Sequence, residues 1–355
     1  MSKINQDPRI DPRIKAVFGK LALGGSRDVQ SREEALEAAN SERAIATRSA
    51  VKTFLNKCDS EAVASSQGLQ FKKYSITSVP DGNTINLQLV RKQGDDVLPC
   101  IYYIHGGGMA TMSCFDGNYQ AWARILAAQG IAVVMVDFRN ALVPSSVEEV
   151  APFPAGLNDC LSGIKWVHEN SDELKIQRNN IVIAGDSGGG NLALASALKL
   201  KRDKCLNIIS GVYALCPYIA GKWPFAESPS STENNGIMLD LHNNQGAMIY
   251  GIDEFNKQNP LAWPYFASID ELKGLVPTVI SVNECDPLRD EGINFYRRLL
   301  SAGVHAKCRQ VMGTIHAIEV FPLACPDISR ETAANMAHFC YSLEGEPTQR
   351  LANLV

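Results

Sequence analysis

Six consecutive residues, Gly185-Asp186-Ser187-Gly188-Gly189-Gly190, constrain this chain more than any other stretch. They follow the apolar run 181–184 and precede the mostly apolar run 191–195, which predicts a strand, a tight glycine turn and a buried helix. The turn contains G-x-S-x-G, the pattern of a nucleophile elbow, in which a strained serine faces the positive end of a helix. Bulk at Gly185 or Gly189 would collide with the neighbouring strand and helix. G-x-S-x-G alone is common by chance, so the strand–turn–helix context carries the prediction.

A second glycine-rich turn, His105-Gly106-Gly107-Gly108, follows the apolar run 101–104 and therefore also leaves the end of a predicted strand. Glycines at that place let backbone N–H groups point into a cleft, where they can stabilise the oxyanion of a tetrahedral acyl intermediate. A glycine triplet alone fits a flexible turn equally well. Its position upstream of the serine turn favours the oxyanion interpretation.

Acidic residues follow the strand-like run 276–282. Asp286 precedes a proline, which predicts a helix N-cap with Pro at the first helical position. An acid at the carboxyl end of a strand can also orient a histidine, and the two roles are compatible. Glu284, Asp290 and Glu291 are rival acids. The last two fall in the first turns of the predicted helix, where carboxylates suit the helix dipole without any catalytic role.

His316 follows a plausible last strand at 304–311, which gives the chain order Ser, acid, His that an α/β-hydrolase requires. His105 precedes the serine and belongs to the glycine loop. The other histidines fit less well, because they are predicted inside a helix or a strand or follow no strand; they are His168, His242, His305 and His338.

These motifs resemble the hormone-sensitive-lipase-like branch of the α/β-hydrolases, bacterial esterases with an H-G-G-G loop and a G-D-S-[AG]-G-G elbow. The intervals of 99 residues from Ser187 to Asp286 and 30 from Asp286 to His316 are also similar to that family. The matching residues extend over most of the chain: 105–108, 136–139, 153–155, 185–192, 259–262 and 286–292, with Gly313 and His316.

The resemblance implies a carboxylic ester hydrolase in which Ser187 is the nucleophile, His316 the general base and Asp286 the residue that orients it. It further implies that the backbone amides of Gly107, Gly108 and Gly188 form the oxyanion hole. His105 would brace the loop that carries the first two. No metal and no organic cofactor are needed. Short to medium acyl esters are the expected substrates, cleaved through an acyl-enzyme intermediate.

Three departures from the family pattern alter the walls of the site and leave its catalytic groups in place. Asn-Ala-Leu-Val at 140–143 replaces the usual Leu-Ala-Pro-Glu, Trp263 stands where serine is common, and 317–319 replaces a Gly/Ala-Phe pair. These changes affect substrate shape. The candidate pocket residues are Met109, Met112, Phe115 and Trp263.

Composition limits the partners. The formal net charge is -4 and the pI about 5.9, without a basic stripe, so nucleic-acid binding has no electrostatic basis. The apolar runs fall far short of the roughly 18 residues that a membrane helix needs. The N-terminus carries no hydrophobic signal region, and ten scattered cysteines include no C-x-x-C pair, which together predict a cytoplasmic protein with buried free thiols.

The apolar and glycine patterns predict an α/β fold, the α/β-hydrolase fold, with about eight strands in a mostly parallel sheet flanked by helices. A hairpin turn at 80–83 joins the first two strands; the strands are predicted at 71–79, 84–90, 98–104, 131–136, 180–185, 208–215, 276–282 and 304–311. Residues 219–262 interrupt this alternation and, with helical residues 1–60, are predicted to form a helical cap over a core at 61–218 and 263–355. The alternative is an ordinary surface insertion.

Other functions remain open at this point. An amidase or a lactonase would use the same triad, since leaving-group preference depends on the shape of the pocket. A non-catalytic small-ligand receptor can share the fold, but such receptors lose the histidine that is present here as His316. A nucleotide-binding module would require the G-K-[ST] or G-x-G-x-x-G pattern, which the serine turn lacks. Dimers are frequent in the resembling family, so a homodimer is compatible with the sequence.

Overall fold

The computed structural model describes residues 2–20 and 27–344; the remaining parts of the predicted N-terminal segment and of the predicted core lie outside these ranges. In the described ranges one eight-stranded sheet has the order β1-β2-β4-β3-β5-β6-β7-β8. Its strands are β1 Leu69–Thr77, β2 Thr84–Lys92, β3 Leu98–Ile104, β4 Ala132–Asp137, β5 Ile176–Asp186, β6 Gly211–Leu215, β7 Thr278–Asn283 and β8 Ala306–Val311. β2 pairs antiparallel with β1 and β4, and every other pairing is parallel, so the predicted sheet is confirmed.

Helices cover both faces of the sheet. They are α1 Lys3–Gln6, α2 Pro12–Phe18, α3 Arg32–Ala39, α4 Glu42–Leu55, α5 Gly117–Ala127, α6 Ala155–Glu169, α7 Ser171–Leu174, α8 Gly188–Arg202, α9 Ser230–Glu233, α10 Gln245–Tyr250, α11 Ile252–Asn256, α12 Ile269–Leu272, α13 Arg289–Ser301 and α14 Pro326–Ser342. No helix in the described part of the chain has both the length and the apolar character to span a membrane.

The core has two layers because successive side chains of a strand point to opposite faces of the sheet. In β3, Tyr102 and Ile104 belong to one buried cluster, whereas Ile101 and Tyr103 belong to the other. β3 and β6 are therefore apolar along their whole length, as parallel strands covered on both faces require. This arrangement fixes the carboxyl edge of the sheet, from which both glycine-rich turns emerge.

Two local predictions were wrong in detail. His305 precedes β8, which begins at Ala306, and its carbonyl accepts a hydrogen bond from Thr278 at 3.0 Å. Asp286 does not cap α13, since that helix begins at Arg289. The carboxylate instead closes a turn by accepting a 2.9 Å hydrogen bond from the Leu288 amide. Asp286 therefore sits in the loop between β7 and α13.

The two segments predicted to form the cap contact each other. Lys3 Nζ donates to the Asn235 carbonyl at 2.7 Å near the end of α9. Asn244 and Val29 exchange two hydrogen bonds of 2.9 and 2.8 Å between the Asn244 side chain and the Val29 backbone. The N-terminal segment and the 219–262 insertion are thus held to each other by polar contacts distant in sequence.

Candidate active site

Ser187 occupies the sharp turn between β5 and α8. Its backbone has φ 53° and ψ -117°, a conformation that costs energy for a residue with a side chain and that is typical of a nucleophile elbow. The Ser187 amide donates to the Leu215 carbonyl at 2.9 Å, and its carbonyl accepts from the Tyr218 amide at 3.0 Å. These bonds to β6 and the loop beyond it hold the strained turn in place.

The glycines around the serine are required by close backbone approach. A Cβ on Gly185 would lie 2.4 Å from the Gly189 carbonyl oxygen and 2.6 Å from that of Ile104. A Cβ on Gly189 would lie 2.0 Å from the Ile104 oxygen. Because these obstacles are backbone atoms of a strand and a helix, they cannot rotate away. The elbow pattern therefore reflects direct contact between β3, β5 and α8.

His316 and Asp286 are paired at the same edge of the sheet. His316 Nδ1 lies 2.7 Å from Asp286 Oδ2, and both side chains are buried. Burial of the imidazole opposes its protonation, but the charge and hydrogen bond of Asp286, with Asp186 and Glu319 adding to them, raise the pKa of His316 above its ordinary value. The imidazole is thus both oriented and made more basic by its surroundings.

The rival acids have other partners. Glu284 accepts a 2.7 Å hydrogen bond from the backbone amide in the turn before His316. Asp290 accepts from the first amide of α9 at 2.7 Å, and Glu291 accepts from amides at the start of the insertion. Among the described residues, Asp286 is the acid that is hydrogen-bonded to His316.

The glycine loop lies directly against the serine turn. A Cβ on Gly188 would stand 2.8 Å from the Gly108 nitrogen and 2.5 Å from that of Met109. Gly107 and Gly108 have φ values of 95° and 65°, which favour glycine. In the hydrogen bonds found within residues 2–20 and 27–344, the amides of Gly107, Gly108 and Gly188 donate to no protein acceptor. They are therefore available to an oxygen placed above Ser187.

His105 lies beneath this loop and is fully buried. Its ring stacks on Phe138 with centroids 4.3 Å apart, and its Nδ1 lies 2.9 Å from the Gly106 carbonyl oxygen. Nε2 faces Asp137 at 3.6 Å. Tyr119 supports the same loop, since its hydroxyl accepts from the Gly106 amide at 2.7 Å. These contacts fix the position of the loop from below.

A cleft of about 170 Å³ opens beside the glycine loop. It is lined by Gly108, Ala110, Tyr218 and Trp223, together with residues from 240–249. None of the four candidate pocket residues is among the residues lining this cleft in the described structure; they are Met109, Met112, Phe115 and Trp263.

The four candidate pocket residues occupy different layers. Trp263 is fully buried and packs edge-on against Tyr218, with centroids 5.9 Å apart, so it stands one layer behind the cleft wall. Met109 is buried next to the glycine loop. The Met112 side chain lies against Gly107, and Phe115 lies under the Lys73 ammonium, 4.3 Å from its ring centroid. Tyr218, against which Trp263 packs, itself lines the cleft, as does Trp223.

Sequence reasoning missed Cys216, which follows β6. Its thiol lies within 4.8 Å of the polar side-chain atoms of Asp286 and His316. Burial, followed by the charge of Asp286, raises the pKa of the thiol well above its ordinary value, while the Ser187 backbone amide lowers it through a hydrogen bond. Cys216 thus lies between the serine turn and the Asp286–His316 pair. Among the described residues, Ser187 Oγ and His316 are not hydrogen-bonded to each other. The place of Cys216 after a predicted strand was the available signal.

The fold and this site identify a class of protein. The family described as alpha/beta hydrolase fold matches residues 101–320, which contain both glycine-rich turns, Ser187, Asp286 and His316. The chain therefore belongs to the α/β-hydrolase fold family.

Individual relatives narrow the class. The chain is 32% identical over 262 residues to Carboxylesterase NlhH of Mycobacterium tuberculosis, covering 68% of this chain and 73% of the relative. The structure of esterase Est22 is 63% identical with a TM-score of 0.95 and covers 96% of this chain and 99% of that one. Brefeldin A esterase, described as a bacterial homologue of human hormone sensitive lipase, is 35% identical with a TM-score of 0.83 and covers 96% and 95%. The predicted hormone-sensitive-lipase-like family and carboxylic ester hydrolase are confirmed.

Proposed function

We propose that Ser187 is the nucleophile of this ester hydrolase, with His316 as general base and Asp286 as the acid that orients it. The observation that supports this most directly is the 2.7 Å contact of His316 Nδ1 with Asp286 Oδ2 at the sheet edge that also carries the strained Ser187. Such a contact fixes the imidazole so that its other nitrogen is free to take a proton from the serine hydroxyl.

In the first half of the reaction, Ser187 Oγ attacks the ester carbonyl carbon while His316 takes the hydroxyl proton. The carbonyl oxygen becomes an oxyanion that accepts hydrogen bonds from Gly107, Gly108 and Gly188, whose amides have no protein acceptor within the described ranges. His316 then gives its proton to the leaving alcohol as the C–O bond breaks. His105 keeps the loop in position and takes no part in proton transfer.

In the second half, water attacks the acyl-enzyme carbonyl and His316 removes its proton. The same amides hold the second oxyanion, and the proton returns to Ser187 Oγ as the carboxylic acid leaves. The net reaction consumes only an ester and water, and it yields an alcohol and a carboxylic acid. His316 relays every proton between Ser187, the leaving alcohol and water, while Asp286 orients the imidazole without taking a proton itself.

The size of the cleft supports short acyl or alcohol groups as substrates. Its volume of about 170 Å³ is below the roughly 300 Å³ at which pockets for drug-sized ligands begin.

We assign 219–262 and the N-terminal helices to a cap, since polar contacts join them and the insertion supplies Trp223 to the cleft. We retain Met109, Met112, Phe115 and Trp263 as the residues that would set the limit of the substrate's size. A cytoplasmic location and a homodimer stay predictions.

Hydrolysis of p-nitrophenyl esters from acetate to palmitate tests this mechanism, and a structure of Est22 contains p-nitrophenol. We expect activity to peak at short chains and Ser187→Ala to lower kcat by about a million-fold. Ser196→Ala is the matched control, because that hydroxyl is buried in α8 and has no hydrogen-bond partner among the described residues. Activity that survives in Ser187→Ala would refute the assignment of the nucleophile, and a preference for palmitate would refute the short-chain cleft.

A further inference from the structure

Glu291 is a carboxylate in the first turn of α13 that is completely shielded from solvent. Its Oε1 accepts hydrogen bonds from the backbone amides of Ile219 at 2.8 Å and Ala220 at 3.3 Å. Its Oε2 accepts from the indole nitrogen of Trp223. The sequence predicted only a helix-dipole role for this residue, whereas the structure gives it three N–H donors on another segment.

All three donors lie where the chain leaves β6 and enters the 219–262 insertion. Burial, with a smaller contribution from the nearby charge of Asp286, raises the pKa of Glu291 to about 8 against the effect of the three donors. A buried carboxylate destabilises a protein unless its oxygens are hydrogen-bonded, so this carboxylate depends on Ile219, Ala220 and Trp223. Conversely, these donors would be left unpaired without it.

The anchored segment forms a wall of the cleft. The Trp223 ring stacks on Tyr218 with centroids 4.5 Å apart and planes inclined by 30°, and both residues line the cleft beside Gly108. The Tyr218 amide in turn donates to the Ser187 carbonyl at 3.0 Å. A continuous set of contacts therefore runs from Glu291 through Trp223 and Tyr218 to the turn that carries Ser187.

We propose that Glu291 is the positioning residue of the substrate cleft, which holds Trp223 against Tyr218 and so sets the shape of the wall that the substrate meets. The proposal rests on the proposed function only in taking the cleft beside Gly108 as the place where the substrate binds. Glu291 acts through Trp223 and touches neither the reacting atoms nor His316. Its loss therefore affects substrate binding more than the chemical step.

Glu291→Gln tests this directly, because the amide keeps the volume of the side chain but turns one acceptor oxygen into a donor that faces another donor. We expect KM for p-nitrophenyl butyrate to rise on the order of tenfold, as a buried N–H donor left without its acceptor predicts. We expect kcat to change by less than about threefold. Asp290→Asn is the matched control: it changes the neighbouring carboxylate, which bonds to Ser230 of the same insertion but not to the cleft wall.

Trp223→Phe provides a second, independent variant. It keeps an aromatic ring that can stack on Tyr218, but it removes the indole N–H that donates to Glu291 and narrows the ring in the cleft wall, so we expect KM to rise in this variant too. Because both changes break one contact, the double variant is expected to raise KM by less than the product of the two single effects. If circular dichroism shows that Glu291→Gln does not fold, the KM of Trp223→Phe alone tests the proposal.

Three results would overturn the proposal. They are an unchanged KM in Trp223→Phe, an equal rise of KM in Asp290→Asn and Glu291→Gln, and a fall of kcat in Glu291→Gln with no change in KM. The KM measurement uses the established ester hydrolysis and does not depend on which residue is the nucleophile. Survival of activity in Ser187→Ala would therefore refute the triad without affecting this test. An unchanged KM beside an inactive Ser187→Ala would refute only the role of Glu291.

Discussion

Gly189 is the second residue of α8 and marks its closest approach to β3. A Cβ at this position would lie 2.0 Å from the Ile104 carbonyl oxygen and 2.6 Å from that of His105. At the next residue, Gly190, the nearest atom is the Leu215 oxygen at 3.1 Å. Alanine at these two neighbouring positions therefore compares a severe backbone clash with a tight contact in the same helix.

The expected free energies follow from two opposing terms. Alanine in place of glycine favours a helix by about 1 kcal/mol. Overpacking usually costs about 1–3 kcal/mol, and Gly189→Ala belongs at or beyond the upper end because its obstacles are backbone oxygens. We therefore expect Gly189→Ala to lose about 2 kcal/mol or more of unfolding free energy. For Gly190→Ala the two terms nearly cancel, so we expect a change within about 1 kcal/mol.

Urea unfolding followed by circular dichroism measures both values, and hydrolysis of p-nitrophenyl butyrate measures the effect on the site. We expect Gly189→Ala also to lose activity in its folded form, since the displaced His105 carbonyl belongs to the loop that carries Gly107 and Gly108. Equal unfolding midpoints for Gly189→Ala and Gly190→Ala, with activity unchanged in both, would refute the reasoning that contact between β3 and α8 requires this glycine.

Two further changes test the electrostatics. The pKa of His316 is raised, and the imidazole acts as a base only when it is unprotonated, so kcat/KM is expected to fall as the pH drops through a value above 6.5. In Asp286→Asn we expect this acidic limb of the pH–rate profile to move to lower pH and kcat to fall by about 10⁴. A pH–rate profile in which the limb stays fixed would contradict the pairing. Arg139→Met removes the guanidinium whose Nε lies 2.9 Å from the buried Asp159, so this carboxylate loses its cationic partner, and the change is expected to cost about 3–5 kcal/mol in urea unfolding. A loss below about 1 kcal/mol would contradict a structural role for this ion pair.

The parts of the fold that follow from local patterns were predictable. Apolar runs indicated the number of strands and their places along the chain, because a strand buried on both faces contains few polar residues. Their ends were less certain: β5 begins at Ile176, although polar residues at 177–180 interrupt the apolar run. The backbone there continues as a strand, since Leu98 of β3 pairs with Ile176 through a shift in register. Backbone pairing of this kind leaves no mark in hydropathy.

The sequence indicated which acid pairs with His316, but not the geometry of the acid. The Asp-Pro pattern predicted a helix cap at Asp286, yet α13 begins three residues later. The carboxylate performs a turn-closing role with Oδ1, bonded to Leu288, while Oδ2 faces His316. A carboxylate has enough lone pairs for both partners, so Asp286 can close the turn and contact His316 at the same time.

Glu291 shows where sequence patterns stop being informative. An acid in the first turn of a helix satisfies the helix dipole, and nothing near it in the chain suggests burial. The partners that bury it, Ile219 and Trp223, lie 72 and 68 residues earlier in the insertion. The insertion brings three N–H donors to α13, and Glu291 is the acid that accepts hydrogen bonds from them. The position of Trp223 in the cleft wall therefore depends on contacts that only the folded chain creates.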